Sequence, residues 1–170
     1  MLSWTFEEKA FMAGERYIPS LLTRLTDDEP QSRIDKQDKV FSLEKIKQEI
    51  IFNISQLLNS RSHMQYDELR NDIDLVHSVL GFGLTDFCGL SNCQREKNRL
   101  IVVITDQLRF FEPRLKPETI EVKSADSNDD VNILTFSISA EYALKACDES
   151  FECTTKLDLE SGFANVVVKE

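Results

Sequence analysis

From Ser42 onward, apolar residues recur at steps of three and four. Leu43, Ile46, Ile50, Ile54, Leu57 and Leu58 fall on one face, which predicts an amphipathic helix with Ser42 as its N-cap. Lys45 at the third position leaves no capping box, and Asn59-Ser60-Arg61-Ser62 ends the segment. A second helix is predicted from about Asp67 to Leu80, with Leu69, Ile73, Val76 and Leu80 on one side. Gly81-Phe82-Gly83 stops it, because glycine suits the left-handed turn that follows a helix. A third helix spans roughly Gln94 to Phe111, with Ile101, Ile104, Leu108 and Phe111 as its stripe and Leu100 and Val103 widening it. Pro113 and Pro117 forbid continuation, and the residue before a proline is pushed out of the helical region. The helix therefore ends at or just before Glu112.

Beyond that point the period changes to two. Ile120 and Val122 alternate with charges, Leu134, Phe136 and Ile138 with Thr135 and Ser137, and Cys153, Thr155, Leu157 and Leu159 with Thr154, Lys156 and Asp158. Asp126-Ser127-Asn128-Asp129-Asp130 is a turn-former, and Glu160-Ser161-Gly162 fits a tight hairpin with Gly162 at positive φ. Phe163 to Val168 is the last predicted strand. Helices first and strands second predict an α+β fold, with N-terminal helices packed on one face of a small C-terminal antiparallel sheet.

The beginning of the chain breaks the pattern. Trp4, Phe6, Ile18, Leu21, Leu22 and Leu25 form short apolar patches, and a polar stretch from Thr26 to Lys39 follows. We read residues 1–40 as an arm with one short helix near Ser20–Leu25 and a polar linker, and residues 41–170 as the α+β domain.

Composition narrows the function classes. A 170-residue chain that is 41% hydrophobic, with eleven Phe, can bury a core without covalent staples. Thirty acidic against 20 basic residues give a net charge of −10, which argues against nucleic acid, whose phosphates need clustered Lys and Arg. The same balance disfavours an anionic membrane surface and leaves other proteins as the expected partners. The charges Glu7, Glu8 and Lys9 interrupt the start, so no signal peptide is read there. The longest apolar run, Leu100 to Ile104, is far short of a membrane span. A cytoplasmic location is expected, with the four cysteines reduced.

Candidate chemistry is sparse. Cys88, Cys93, Cys147 and Cys153, with His63 and His77, could be imagined as a metal site, but four and five intervening residues do not fit paired zinc ligands well. Small buried hydrophobes are the better account for Cys88 and Cys153, and neither a metal nor a cofactor is expected. Glu112 stands at a helix C-terminus, facing the negative end of the macrodipole, so a cation must offset it. Arg109 on the same face and Arg114 beyond Pro113 can both pair with it, either as an internal clasp or as a charged docking point. Val166, Val167 and Val168 end the last strand, where an open edge can accept a partner strand or stay closed within the domain.

Five segments stand in order along the chain: Leu21-Leu22-Thr23-Arg24-Leu25, Leu57-Leu58-Asn59-Ser60-Arg61, Ser78-Val79-Leu80-Gly81-Phe82-Gly83-Leu84, Phe111-Glu112-Pro113-Arg114-Leu115 and Leu157-Asp158-Leu159-Glu160-Ser161-Gly162. Together they resemble TssE, the type VI secretion baseplate family related to the lysozyme-like wedge proteins of contractile phage tails. The family usually carries Asn-Tyr-Gly-Leu-Pro where this chain has Gly81-Phe82-Gly83-Leu84-Thr85. The resemblance implies a non-enzymatic structural role in the cytoplasm, within the membrane-docked baseplate. Its implied neighbours are the wedge proteins TssF, TssG and TssK and the sheath proteins TssB and TssC. It also implies that Arg109, Glu112, Pro113 and Arg114 dock a wedge protein and that Val166, Val167 and Val168 meet the sheath. The lysozyme-like label invites a second reading, a muramidase acting through Glu112. Glycoside cleavage usually needs two carboxylates across a cleft, and Asp106 falls on a different side of the helix from Glu112.

Overall fold

The change of period is realised in a computed structural model that describes residues 20–26, 30–31, 43–62, 72–125, 132–143 and 150–168. Trp4, Phe6 and Ile18, most of the polar linker, the start of the second predicted helix, the turn at 126–130, His63, Cys147 and the last two residues lie outside the described residues. Two compact units divide the chain, Met1–Glu49 and Ile50–Glu170.

In the first unit, α1 (Leu21–Leu25) starts at Ser20, whose hydroxyl accepts from the Thr23 amide at 3.3 Å. The Ser20 amide donates to the Glu49 carboxylate at 3.1 Å, while Leu21, Leu22 and Leu25 stay exposed. Helix α2 (Leu43–Asn59) crosses the division between the units. Ile46, Ile50, Ile54, Leu57 and Leu58 are buried along it, as the stripe predicts, and Leu43 is half-buried.

The second predicted helix ends earlier than the expected Leu80. Among the described residues it is α3 (Ile73–Val76), followed by a separate 3₁₀ turn over Val79–Gly81. Ser78 is the reason. Its hydroxyl accepts from the Leu80 amide and donates to the Leu75 carbonyl, capping a new turn in place of the old helix. Leu80, expected in the buried stripe, is 54% exposed. Within the predicted Gly81-Phe82-Gly83 stop, the left-handed residue is Gly83 at φ +104°, and a side chain there would collide with the Ser60 backbone.

Helix α4 (Gln94–Phe111) has the predicted bounds, and the Glu112 amide still reaches the Leu108 carbonyl at 3.0 Å before Pro113 ends the run. Its buried face is Leu100, Val103, Ile104, Gln107 and Leu108, so it is turned away from Ile101 and Phe111, which are half-buried. Gln107 is buried because it works as a staple. Its amide nitrogen donates to the Gly81 carbonyl at 2.9 Å, and its oxygen accepts from the Gly83 amide at 3.1 Å.

A 3₁₀ turn over Pro117–Thr119 leads into four strands: β1 (Glu121–Ala125), β2 (Ile133–Glu141), β3 (Ser150–Asp158) and β4 (Ala164–Val168). They pair antiparallel in the order β1-β2-β3-β4, a meander with no crossover. Val122, Leu134, Phe136, Ile138, Ala140, Phe151, Cys153, Thr155, Leu157 and Ala164 are buried on one face, while Glu121, Lys123, Glu152, Lys156 and Asn165 stand exposed on the other. The fold is α+β. Gly162 closes the β3–β4 hairpin at φ +69°, as the tight turn requires, and β4 begins at Ala164, one residue later than predicted.

Candidate functional site

The Glu112-Pro113-Arg114 tripeptide is a closed clasp. Arg114 donates from Nε to Glu112 Oε1 at 2.7 Å and from Nη2 to Oε2 at 3.0 Å, a two-pronged pair that uses both carboxylate oxygens. Glu112 is only 2% exposed, and the Arg114 side chain 20%. The pair answers the charge problem at the end of α4, since the guanidinium offsets both the carboxylate and the negative end of the helix dipole. Arg109, offered as an alternative partner for Glu112, instead donates to the Pro117 carbonyl at 3.2 Å. Pro113 and Arg109 remain exposed. The surface presented at this turn is therefore a proline flanked by cations, and the carboxylate lies beneath it.

Beside the clasp lies a cleft of about 250 Å³, lined by Asn53, Ile54, Gln56 and Leu57 of α2 together with Phe82, Phe111 and Glu112. Phe82 and Phe111 meet edge to face at 5.0 Å, and Phe110 carries the contact on to His77, whose ring stacks on it at 3.9 Å. Among the described residues Glu112 is the carboxylate lining this cleft, and Arg114 occupies both of its oxygens. Among the described residues no second carboxylate lines the cleft opposite it.

The second candidate is the sheet edge. β1 and β4 are the outer strands. The two edges differ in character, because β1 carries Glu121 and Lys123, paired with each other at 2.9 Å, whereas β4 has no charged residue between Ala164 and Val168. Val167 is 51% exposed and Val166 half-buried. Among the described residues no strand pairs with the outer side of β4.

Sequence reasoning missed what holds this edge in place. Asn59 and Arg61 read as the end of a helix and as part of the TssE-like Leu57–Arg61 segment, yet they reach more than a hundred residues along the chain. The Asn59 amide donates to the Ala164 carbonyl at 2.8 Å, and its oxygen accepts from the Ala164 amide at 2.9 Å. Arg61 donates to the Gly162 and Leu58 carbonyls, and its guanidinium lies 4.4 Å above the Phe87 ring. Between them, the Ser60 carbonyl accepts from the Leu84 amide at 3.0 Å. The exit of α2 thus grips the β3–β4 hairpin on one side and the loop after Gly83 on the other. The local signal for this is the clustering of Asn, Ser and Arg at one helix end, which local rules interpret as a terminator.

The cysteines divide differently from the expectation. Cys153 is buried, and burial pushes its thiol up to about 12. Cys88, expected inside, is exposed, because the loop that carries it lies outside the hairpin against the Gly162 backbone. Its thiol donates to Asp86, which raises its pKa, while Cys93 is lowered, first by a hydrogen bond from Ser91. Among the described residues no group of three His, Cys, Asp or Glu side chains could hold a metal ion. Alkylation of the native protein at mildly alkaline pH is expected to label Cys93 first and Cys88 more slowly, with Cys153 reacting only after unfolding. Peptide mapping over time checks the order, and early labelling of Cys153 would contradict its burial.

No helix among the described residues is long and apolar enough to cross a membrane. Compared with known families, residues 44–146 match the model of baseplate wedge protein gp25, a span that runs from α2 through β2 and stops before β3. No curated protein and no solved structure gives a significant match.

Proposed function

Since the chain belongs to the gp25 baseplate wedge family, which is the TssE family, we propose that it is a non-enzymatic wedge component of a type VI secretion baseplate on which the sheath begins to polymerise. Membership makes it a component of a phage-tail-like baseplate. The narrower assignment rests on the five ordered segments it shares in kind with TssE, from Leu21-Leu22-Thr23-Arg24-Leu25 to the Leu157–Gly162 hairpin. In this reading the protein works in the cytoplasm, within the membrane-docked baseplate. TssF, TssG and TssK grip the turn at Arg109, Pro113 and Arg114, with Glu112 as the buried counter-charge that holds the turn's shape. TssB and TssC meet the valines of β4.

The single observation that favours the sheath contact is that the edge strand β4 carries no charged residue while the opposite edge strand β1 does, since strand addition needs unpaired backbone groups free of repelling side chains. A structural role is also favoured over hydrolysis, because Arg114 saturates the one carboxylate offered as a general acid. The test is co-purification of the full chain with TssF, TssG and TssK, followed by addition of TssB and TssC. Recovery of a wedge complex that seeds sheaths is the expected result. A chain that recovers no wedge protein, or that releases soluble muropeptides from cell walls, would overturn the reading.

A further inference from the structure

Among the described residues the outer edge of β4 is open over only part of its length, and the register says which part. In an antiparallel ladder the backbone groups of successive residues point alternately toward and away from the neighbouring strand. Leu157 pairs with Ala164, Thr155 with Val166 and Cys153 with Val168, and the Asp158 amide donates to the Phe163 carbonyl at 2.9 Å. Counting by twos from that bond, Asn165 and Val167 turn their N–H and C=O groups toward β3. Ala164, Val166 and Val168 turn theirs outward.

The first of these outward positions is already taken. The Asn59 side chain supplies one donor and one acceptor to Ala164, the pair of bonds that a residue of an added strand would make. The other Asn59 donor is used as well, on the Ser55 carbonyl at 2.9 Å within its own helix, so the amide is held in one orientation with no donor to spare. Ala164 is 1% exposed, which closes that rung to any competitor.

We propose that Asn59 acts as a positioning residue that closes the first rung of the β4 edge, so that an extended segment of a second polypeptide pairs with Val166 and Val168 alone and in one register. An extended polypeptide is the occupant that fits, because what remains open is a row of alternating backbone donors and acceptors on a strand, Ala164–Val168, that carries no charged residue of its own. Strand pairing is prone to slippage wherever nothing marks a starting point. A side-chain amide standing in for one strand residue supplies that mark, and it also shortens the edge available for association between copies of the chain. The inference rests on the reading of β4 as the sheath-facing strand, but the closed rung is a property of the free protein.

Residue-by-residue amide hydrogen exchange on the full chain tests both parts. In the free protein the Ala164 amide is expected to exchange slowly, and those of Val166 and Val168 quickly. Asn59→Ala should speed exchange at Ala164 at least about tenfold while Asn165 and Val167, bonded to β3, keep their rates. Asn59→Asp keeps the acceptor and should restore the slow Ala164 amide. Fast exchange at Ala164 in the unmodified protein, or equal acceleration of Ala164, Asn165 and Val167 in Asn59→Ala, would overturn the closed rung. Adding TssB and TssC should then slow Val166 and Val168 in the unmodified protein, and Ala164 as well in Asn59→Ala, as the pairing extends by one rung. If Ala164 behaves as stated but Val166 and Val168 stay fast in the presence of these sheath proteins, the partner assignment fails and the closed rung stands.

Discussion

Arg114→Ala is expected to destabilise the isolated protein by about 3–5 kcal/mol, the usual cost of stranding one member of a buried ion pair, and to lower Tm by roughly 10 °C. Glu112 is 2% exposed and both of its oxygens accept from Arg114, so no solvent stands ready to replace the guanidinium. The carboxylate would also face the C-terminal dipole of α4 without a counter-charge. Arg114→Lys should recover only part of the loss, because an ammonium cannot reproduce the planar fork that meets both oxygens. Thermal melts of the purified chain decide the matter, and a loss below about 1 kcal/mol would mean that the pair behaves like an exposed one. The same burial changes how docking at this turn must be tested. Reversing either charge damages the fold before it questions the interface. Glu112→Leu combined with Arg114→Leu removes the pair without leaving an orphan, a replacement that is often neutral in stability. If that variant folds and still binds TssF, TssG and TssK, the wedge contact does not use the Arg114 charge. If it folds and fails to bind, the exposed cationic side of the clasp is part of the interface.

What could be read in advance was whatever is encoded over one or two turns of chain. The bounds of α4 follow from a three-and-four apolar repeat meeting a proline, and both signals lie within the segment itself. The inward row of β3 at Cys153, Thr155 and Leu157 follows from alternation in the same way. The Glu112–Arg114 pair was available too, since its partners are two residues apart, although nothing local says that Glu112 is 2% exposed. The end of the second helix was misplaced because its apolar spacing was outweighed by Ser78 and by a distant glutamine. Gln107 binds the backbone on both sides of Phe82, and a separation of more than twenty residues leaves no trace in a helical window. Asn59 and Arg61 illustrate the same limit at greater range. Their partners Ala164 and Gly162 lie 105 and 101 residues away, so residues that organise the candidate edge looked like ordinary helix termination.

Val166→Pro is expected to leave the fold intact and abolish sheath initiation. Proline removes one backbone N–H and is tolerated in sheets where that N–H faces outward from an edge strand, which is the position the β3–β4 register gives Val166. The bonds that hold β4 to β3 belong to Asn165 and Val167, so the internal ladder keeps its donors. Tm should therefore change by only a few degrees, on the order of 1 kcal/mol for a single edge substitution. Docking loses more, because one of the two open rungs disappears and the pyrrolidine ring stands where the added strand must run. Sheath assembly with TssB and TssC, followed by electron microscopy, should fall to the level seen without the protein. Val167→Pro is the informative companion. Its N–H faces β3, so the same chemical change one residue along should loosen the hairpin and show directly in the melt. A Val166→Pro protein that nucleates sheaths at the normal rate would remove β4 from the interface, whatever the stability of either variant. The contrast between the two prolines depends only on which way successive backbone groups point, so it tests the outward-facing edge separately from the family resemblance.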